Sequence, residues 1–497
     1  MNVLFIARHF TYFKNFDSVI EALARDGHRL HLAADRDDGH ALGGRALVEG
    51  LAAKYPGRVT VGDTPIREWG RYRRVSSALR LGLDYLRYSD PRFAEMPKIR
   101  QRAHDRTPAF ILALARLPMR RLVTRVLEAI EEAVPRQKGV DAFVAQHRPD
   151  LLLITPLIEL GSPQLDYLRA ARALGIRSAL CVWSWDHLSS KALIRVPPDA
   201  VLVWNEVQRE EAGRFHGLAA ERVLVTGAQC FDRWFDRQPS RPRAEFCRRA
   251  GLPDDGPFVL YACSALFRGS PSEAAFVRQW VEAIRGSGDE ALRRARILVR
   301  PHPQRIDDWR EAPPLEGAVV WGSNPVDEGG RADYYDSLYY SAGVVGLNTS
   351  ALVEAAIVDR PVFTVLAPEF HENQEGTFHF HHLMTVGSGF LNVARSLGDH
   401  VRQLAALARG ETMRPNAPFV ERFIRPRGLR TAATPVFVET VTALAAAPPP
   451  ARRSTPVWAY LLRPVVYALV IAGRLPLVER IYWNPAKFRQ LDTLANA

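Results

Sequence analysis

Along the 497-residue chain, short runs of leucine and β-branched residues alternate with stretches whose apolar positions recur every three or four residues. The runs read as parallel strands buried on both faces, and the periodic stretches as amphipathic helices. The alternation starts at once, with strand Asn2–Arg8, helix Asp17–Arg25 closed by Gly27, strand Arg29–Ala34, helix Arg45–Tyr55 and strand Arg58–Gly62. From Trp69 to about Pro135 it gives way to a helical, arginine-rich pattern. It resumes with strands Leu151–Thr155, Ser178–Trp183, Ala200–Trp204 and Arg222–Thr226, and helices Gln164–Leu174 and Glu206–Phe215. Past the polar, proline-bearing stretch Pro239–Pro242 the same grammar returns. Strands Phe258–Ala262, Arg296–Val299, Val319–Trp321, Gly343–Leu347 and Val362–Leu366 alternate with helices Ser272–Ile284, Tyr334–Ser341 and Ala351–Val358. Leu397–Ala408 and Leu429–Ala447 close it.

The pattern predicts an α/β protein of two Rossmann-like domains. The first spans 1–238, with a helical insertion at about 69–135, and the second spans 243–447. A C-terminal helical extension, 448–497, follows Pro448–Pro450 and Arg452-Arg453.

Charge narrows the partners. A net charge of +12 suits a nucleotide, a polyanionic acceptor or an acidic membrane surface. No DNA- or RNA-binding signature accompanies it, so nucleic acid is not expected as a partner. The four cysteines show neither metal spacing nor a disulfide framework, as in a reducing compartment. Met1 runs directly into a strand without a signal-like segment, which predicts a cytoplasmic protein. Two arginine-punctuated apolar stretches bear on its placement. Ala109–Ala133 carries Arg116, Arg120, Arg121 and Arg125, and Val457–Ala472 carries Arg463 and Pro464. The second falls short of the roughly 20 residues a membrane span requires. Two placements fit both stretches: peripheral docking on the inner face of the cytoplasmic membrane, or packing on the fold.

The densest chemistry lies in Gly343–Leu366. A strand runs into Asn348, Thr349 and Ser350, a helix follows, Arg360-Pro361 stops it, and a second strand begins. The free amides and dipole of a helix N-terminus suit an anion, and Thr349 and Ser350 add hydroxyls. Glu354 stands four residues after Ser350 on the same helical face, where it could hold a ribose diol beside a diphosphate. An ordinary capped crossover helix with a surface glutamate fits the same residues. Strand Arg296–Val299 ends in Arg300-Pro301-His302-Pro303, which places an imidazole and a guanidinium where ligands of open α/β sheets bind. Ser264–Ser270 is another polar strand-end loop, with Ser264 and Arg268 able to face a phosphate.

In the first domain Arg8-His9, Glu159 with Ser162, and Ser184-Trp185-Asp186-His187 each follow a strand. Asp186, Glu159 and His9 are the candidates for a general base toward an acceptor hydroxyl. Trp185, His187 and Lys191 are candidates to line its pocket. Asp35-Arg36-Asp37 reads as a solvated turn rather than a metal motif. His379 and His381 would share one face of a strand, and with no matching carboxylate spacing they read as pocket lining rather than as metal ligands.

These motifs resemble the GT-B class of nucleotide-sugar glycosyltransferases, and within it the capsule and cell-surface branch of polysialyltransferases, Kdo transferases and CDP-glycerol glycerophosphotransferases. That branch pairs a His-Pro motif with a later Ser/Thr-rich strand-to-helix turn and a downstream Glu, matched here by His302-Pro303 and by Thr349, Ser350 and Glu354. Its acidic base motif has no counterpart at a matching place, since Asp37-Asp38-Gly39 follows the second strand. The resemblance implies transfer of a sugar or polyol phosphate from a nucleotide-activated donor to a surface glycan or lipid-linked acceptor. It implies catalysis without a metal or other cofactor, with His302, hydroxyls and the helix dipole in a cation's place. Two alternatives share the pattern: a non-hydrolysing nucleotide-sugar 2-epimerase, and a non-catalytic nucleotide-sugar-binding subunit of a polysaccharide assembly complex.

Overall fold

The computed structural model describes residues 1–36, 43–65, 72–94, 96–267, 269–310, 313–325 and 327–475. Its contacts divide the chain into two units, one comprising Met1–Cys230 with the chain from Ala432 on, the other Phe231–Thr431. The division falls before Pro239–Pro242. It also gives helix Ala433–Ala446 to the first unit, whereas the sequence pattern had grouped it with the second. Long-range packing is the reason. Phe437 and Val441 are buried in the first unit's core, with the Phe437 ring 6.0 Å from Phe16, and the hydroxyls of Ser18 and Thr434 lie 2.8 Å apart.

The first unit is built on strands β1 (Asn2–His9), β2 (Arg29–Arg36), β3 (Val59–Asp63), β4 (Leu151–Thr155), β5 (Arg177–Cys181), β6 (Ala200–Val203) and β7 (Val223–Val225). They form one parallel sheet in the order β3-β2-β1-β4-β5-β6-β7. Phe5 pairs with Leu32 on one side and Leu153 on the other, all fully buried. The order reverses between β1 and β4, so a crevice opens beyond their carboxyl ends.

The insertion folds as helices Arg73–Arg87, Pro97–Arg106, Ala109–Ala115 and Arg120–Ala133, and helix Lys138–His147 after it packs Val140 and Val144 on the sheet. Largely buried ion pairs fasten the insertion to the sheet layer. Arg80 bonds Glu131 at 2.9 Å and Asp166 at 2.6 Å, Arg169 bonds Glu131 at 2.6 Å, and Arg195 bonds Asp84 at 2.5 Å. Removing one partner of such a group strands a buried charge, at a cost of about 3–5 kcal/mol. Helix Val457–Ala472 packs on these same helices through Ala459, Val466 and Val470. No helix among the described residues is long and apolar enough to cross a membrane.

The second unit repeats the plan with β8 (Phe258–Ala262), β9 (Arg296–Arg300), β10 (Val319–Val320), β11 (Gly343–Val345), β12 (Val362–Val365) and β13 (Leu391–Ala394). Its parallel order is β10-β9-β8-β11-β12-β13, and the reversal falls between β8 and β11. Gly346 allows the chain leaving β11 to pass close to β8, since a Cβ there would stand 2.9 Å from the Ala262 carbonyl oxygen. One helix is longer than its pattern predicted: Glu328–Tyr339 begins six residues before Tyr334. Gly329 and Gly330 read as breakers, but the Asp327 carboxylate caps the helix by accepting from the Gly330 amide at 2.6 Å.

Candidate functional site

At the β8/β11 reversal, three strand-end loops from adjacent strands present polar groups. Leaving β8, Ser264 is fully buried and its hydroxyl accepts from the Asn348 amide at 3.1 Å, tying the β8 and β11 loops together. Ser264 is held in turn by Glu273, whose carboxylate accepts from its amide at 2.7 Å and from the Tyr261 hydroxyl at 3.3 Å. Burial pushes the Glu273 carboxyl up to about 7. Leaving β11, helix Ser350–Ile357 starts one residue earlier than its pattern predicted, with Thr349 as the cap in extended backbone. Its hydroxyl accepts from the Ala351 amide at 3.4 Å, and Ser350 is exposed on the first turn. The first amides of such a helix lack intrahelical acceptors and point outward with the positive end of the dipole.

Leaving β9, His302 is confined between Pro301 and Pro303 in extended backbone, φ −74° and ψ 134°. The Gln304 amide donates to its Nδ1 at 3.2 Å, so a neutral ring carries its proton on Nε2. Burial lowers the imidazole to about 4, which makes it neutral at pH 7. The imidazole at this strand end is therefore a neutral Nε2–H donor and not a cation. The Cys263 amide donates to the Arg300 carbonyl oxygen at 3.0 Å, joining the β9 loop to that of Ser264.

Arg300 does not face outward as expected. It is 5% exposed, donates to the Ser323 carbonyl at 3.1 Å, and packs its guanidinium between the rings of Trp321 and Tyr334, 5.5 and 5.1 Å away. The Tyr334 hydroxyl donates to Glu354 Oε2. Arg300 thus supports Tyr334, and Tyr334 orients Glu354 on the half-buried face of the site helix. Burial and the neighbouring Glu354 carboxylate hold the Tyr334 hydroxyl well above its usual range.

His379 and His381 lie on a helix, Phe378–Thr385, not on a strand. Alternating aromatic and histidine residues imitate a period of two, yet on a helix positions two apart point to different sides. His379 is buried, its Nε2 3.4 Å from Asn348 Nδ2, so it underpins the β11 turn. His381 is exposed and donates through Nε2 to the Glu375 carbonyl at 2.8 Å. Arg268 lies outside the described residues, as does the Asp37-Asp38-Gly39 stretch. Among the described residues no three His, Cys, Asp or Glu side chains gather as a metal site.

The β1/β4 reversal in the first unit is of opposite character. Its centre is the Glu159 carboxylate, which pairs with Arg8 Nε at 3.2 Å and accepts from the Tyr12 hydroxyl at 3.0 Å. Burial and the Glu159 charge raise the Tyr12 hydroxyl, keeping it a protonated donor. The rings of His9 and Trp183 stand 4.3 and 5.1 Å from that of Tyr12. His9 Nδ1 is hydrogen-bonded to the Thr11 hydroxyl. The Glu159 loop is braced from two sides. Gln164 accepts from the Leu157 amide at 2.8 Å and donates to the Thr155 carbonyl at 2.9 Å, while Asp84 of the insertion accepts from the Gly161 amide at 2.8 Å.

Asp186 serves its own turn instead. Its carboxylate takes the Ser184 hydroxyl at 2.6 Å, the Ser190 hydroxyl at 2.9 Å and the Lys191 ammonium at 3.0 Å. Trp185 and His187 are buried rather than lining an open pocket, and burial lowers the His187 imidazole to about 3.

No family model matches the chain, and no curated protein matches it. Solved structures do. A glycosyltransferase from Rickettsia africae superposes over 90% of this chain and 99% of its own, with a TM-score of 0.50 at 9% identity. UDP-GlcNAc 2-epimerase from Neisseria meningitidis, bound to UDP-GlcNAc, covers 89% of this chain and 100% of its own at 9% identity and a TM-score of 0.48. WaaG, a glycosyltransferase involved in lipopolysaccharide biosynthesis, covers 90% and 100% at 9% identity and a TM-score of 0.45. The fold is GT-B.

In this GT-B chain the sequence pattern led to His302, Ser264, Thr349, Ser350 and Glu354 at one reversal, and to His9 and Glu159 at the other. It overlooked Tyr12, Tyr334, Glu273 and Gln164, which hold those side chains in place. Ser272-Glu273 at the start of a helix was a readable signal for one of them, because an acidic first turn commonly serves the amides nearby. Tyr334, twenty residues from Glu354, offers no local signal.

Proposed function

We propose that the chain is a nucleotide-sugar-dependent glycosyltransferase, with the β8/β11 reversal binding the donor diphosphate and the β1/β4 reversal supplying the base. The observation that carries the reading is the donor set of the second unit. A neutral His302 with its proton on Nε2, the hydroxyls of Thr349 and Ser350, and the first amides of helix Ser350–Ile357 all offer hydrogens and no competing negative charge. Glu354, oriented by Tyr334, takes the ribose hydroxyls. In the reaction Glu159 accepts the proton of an acceptor hydroxyl, and the resulting oxygen attacks the anomeric carbon. The bond from that carbon to the diphosphate breaks, and charge accumulates on the departing oxygen. The donor set meets that charge and does the work otherwise given to a metal ion.

The acceptor in this reading is a surface glycan or a lipid-linked glycan. The shared fold with a protein named a glycosyltransferase is consistent with the reading. The test is a panel of UDP-, CMP-, CDP- and GDP-sugars, followed by thermal shift and then by product analysis. Stabilisation by one nucleotide class and release of that nucleotide with sugar transfer or hydrolysis supports the reading. An epimerised donor sugar would make the chain an epimerase, and binding without any turnover would make it a non-catalytic subunit.

A further inference from the structure

All but Val320 and Leu429 of the exposed large apolar side chains among the described residues lie on two adjoining parts of the first unit, 114–126 and 457–475. Helix Val457–Ala472 is apolar all round, a composition that belongs to a helix covered on every side. Only one side is covered. Ala459, Val466 and Val470 face the insertion helices, packed with Leu79, Leu83 and Leu127. At 100° per residue, Val457, Leu461, Val465 and Ile471 fall on the opposite side, and Val457 is 82% and Leu461 77% exposed. On the neighbouring helix Arg120–Ala133, Leu122 and Val126 are exposed on one face, and Met119 at its N-cap is exposed too.

Charge identifies the occupant. Around these apolar positions Arg116, Arg120, Arg121, Arg125 and Arg474 are exposed, against one exposed carboxylate at the border, Glu128 beside Arg125, while half-buried Arg463 lies over the Tyr460 ring. A second copy of the chain seated on this face would set these arginines against their own kind. An anionic lipid surface complements them, and Trp458, Tyr460 and Tyr467 are the amphipathic rings that settle at a headgroup boundary. A 16-residue helix is about 24 Å long, too short for the roughly 30 Å of a bilayer core, so it lies in the interface plane.

We infer that helix Val457–Ala472 and the 114–126 segment together form a docking face for the surface of a membrane containing anionic phospholipids. The inference is independent of glycosyl transfer, and its test needs neither donor nor acceptor. The full chain is floated with vesicles of phosphatidylcholine alone and of two parts phosphatidylcholine to one part phosphatidylglycerol, at low and at physiological salt. Binding is expected only to the second kind, weakening as salt screens the arginines. Arg121→Glu with Arg125→Glu should lower vesicle binding by well over tenfold, since each basic residue near such a surface is worth about fivefold. Leu461→Glu with Ile471→Glu should abolish flotation, and because both side chains are exposed, the melting temperature and near-ultraviolet circular dichroism should stay as in the parent. Sedimentation of all three proteins without lipid accompanies the flotation. Failure of the parent chain to bind anionic vesicles at low salt overturns the proposal, as does undiminished flotation of the Leu461/Ile471 variant. A parent dimer that this variant converts to monomer also overturns it, because a second copy then covers the face.

Discussion

The two sheet reversals share one topology and differ in what they place there. At β8/β11 a neutral imidazole, hydroxyls and the amides of a helix N-terminus offer hydrogens, with the Glu354 carboxylate one helical turn further on. At β1/β4 the central group is a carboxylate, gripped by Arg8 and Tyr12. The backbone plan does not decide this, since both crevices arise from the same reversal of strand order. What decides it is the few residues after each strand. Pro301 and Pro303 fix a histidine after β9 in the second unit. In the first unit Gln164 and Asp84 brace the loop that carries a glutamate after β4. A repeated scaffold thus yields one edge rich in hydrogen-bond donors and one centred on a carboxylate.

The largest test of this contrast is Glu159→Gln. It keeps the shape and the Tyr12 contact while removing the ability to take a proton. If Glu159 is the base, turnover should fall by about 100- to 10,000-fold with donor affinity unchanged, as expected for loss of general-base catalysis. Single-turnover transfer with a saturating acceptor measures it. A loss of less than tenfold would move the base elsewhere, with Asp186 and His9 the remaining candidates. Asp186→Asn is the matched control. Its carboxylate is committed to Ser184, Ser190 and Lys191, so its loss should lower the melting temperature more than it lowers turnover.

His302→Ala probes the other edge. A donor that acts on charge developing in the transition state costs about 100- to 1000-fold in turnover when removed. Nucleotide binding should survive, and calorimetry with the nucleotide alone separates the two effects. The pH profile sharpens the point. With the folded imidazole at about 4, His302 is neutral throughout the range from pH 5.5 to 8 and contributes no inflection there. An acid limb near 6.5 that vanishes in His302→Gln would show a cationic histidine and blur the contrast between the edges. Stability follows the same sign. His302, His187 and His400 all titrate lower when folded than the ordinary imidazole, so the unfolded chain binds more protons between about pH 6.5 and 4. Stability should therefore fall as pH drops through that window, by about 2 kcal/mol between pH 7 and pH 5 for each fully buried histidine such as His187 or His400. Urea melts at pH 7 and pH 5 measure it.

How much of this could be read from the chain follows from the range of each interaction. Buried parallel strands announce themselves as apolar runs, so the start of helix Ser350–Ile357 and every strand of the two sheets but β13, four residues whose run Asn392 interrupts, were legible to within a residue or two. The Pro-His-Pro motif is local, and so was its placement after β9. Arg300 was misplaced because its burial depends on Trp321 and Tyr334, which other segments supply. The histidines 379 and 381 were misread because their alternation with Phe378 and Phe380 is a strand signal only if the segment is a strand. The allegiance of helix Ala433–Ala446 rests on Phe16 and Ser18, more than four hundred residues away. Periodicity carries no trace of such a pairing.

The smallest expected effect concerns Glu354, and it tests whether the second edge is graded as well as polarised. A contact to the ribose exists equally in the ground state and the transition state, so removing it weakens binding without slowing the chemical step. Glu354→Ala should therefore raise the donor's KM about tenfold, the size of one charged hydrogen bond, and leave kcat within a factor of two or three. Tyr334→Phe should do the same more weakly, because it leaves the carboxylate in place but removes the hydroxyl that orients it. The double variant should then be no worse than Glu354→Ala alone, since Tyr334 acts on the donor only through Glu354. Initial rates over a range of donor concentration for the three proteins decide the matter. If Tyr334→Phe instead lowers kcat as His302→Ala does, the tyrosine reaches the reacting phosphate itself, and the donor edge extends one residue further than its geometry indicates.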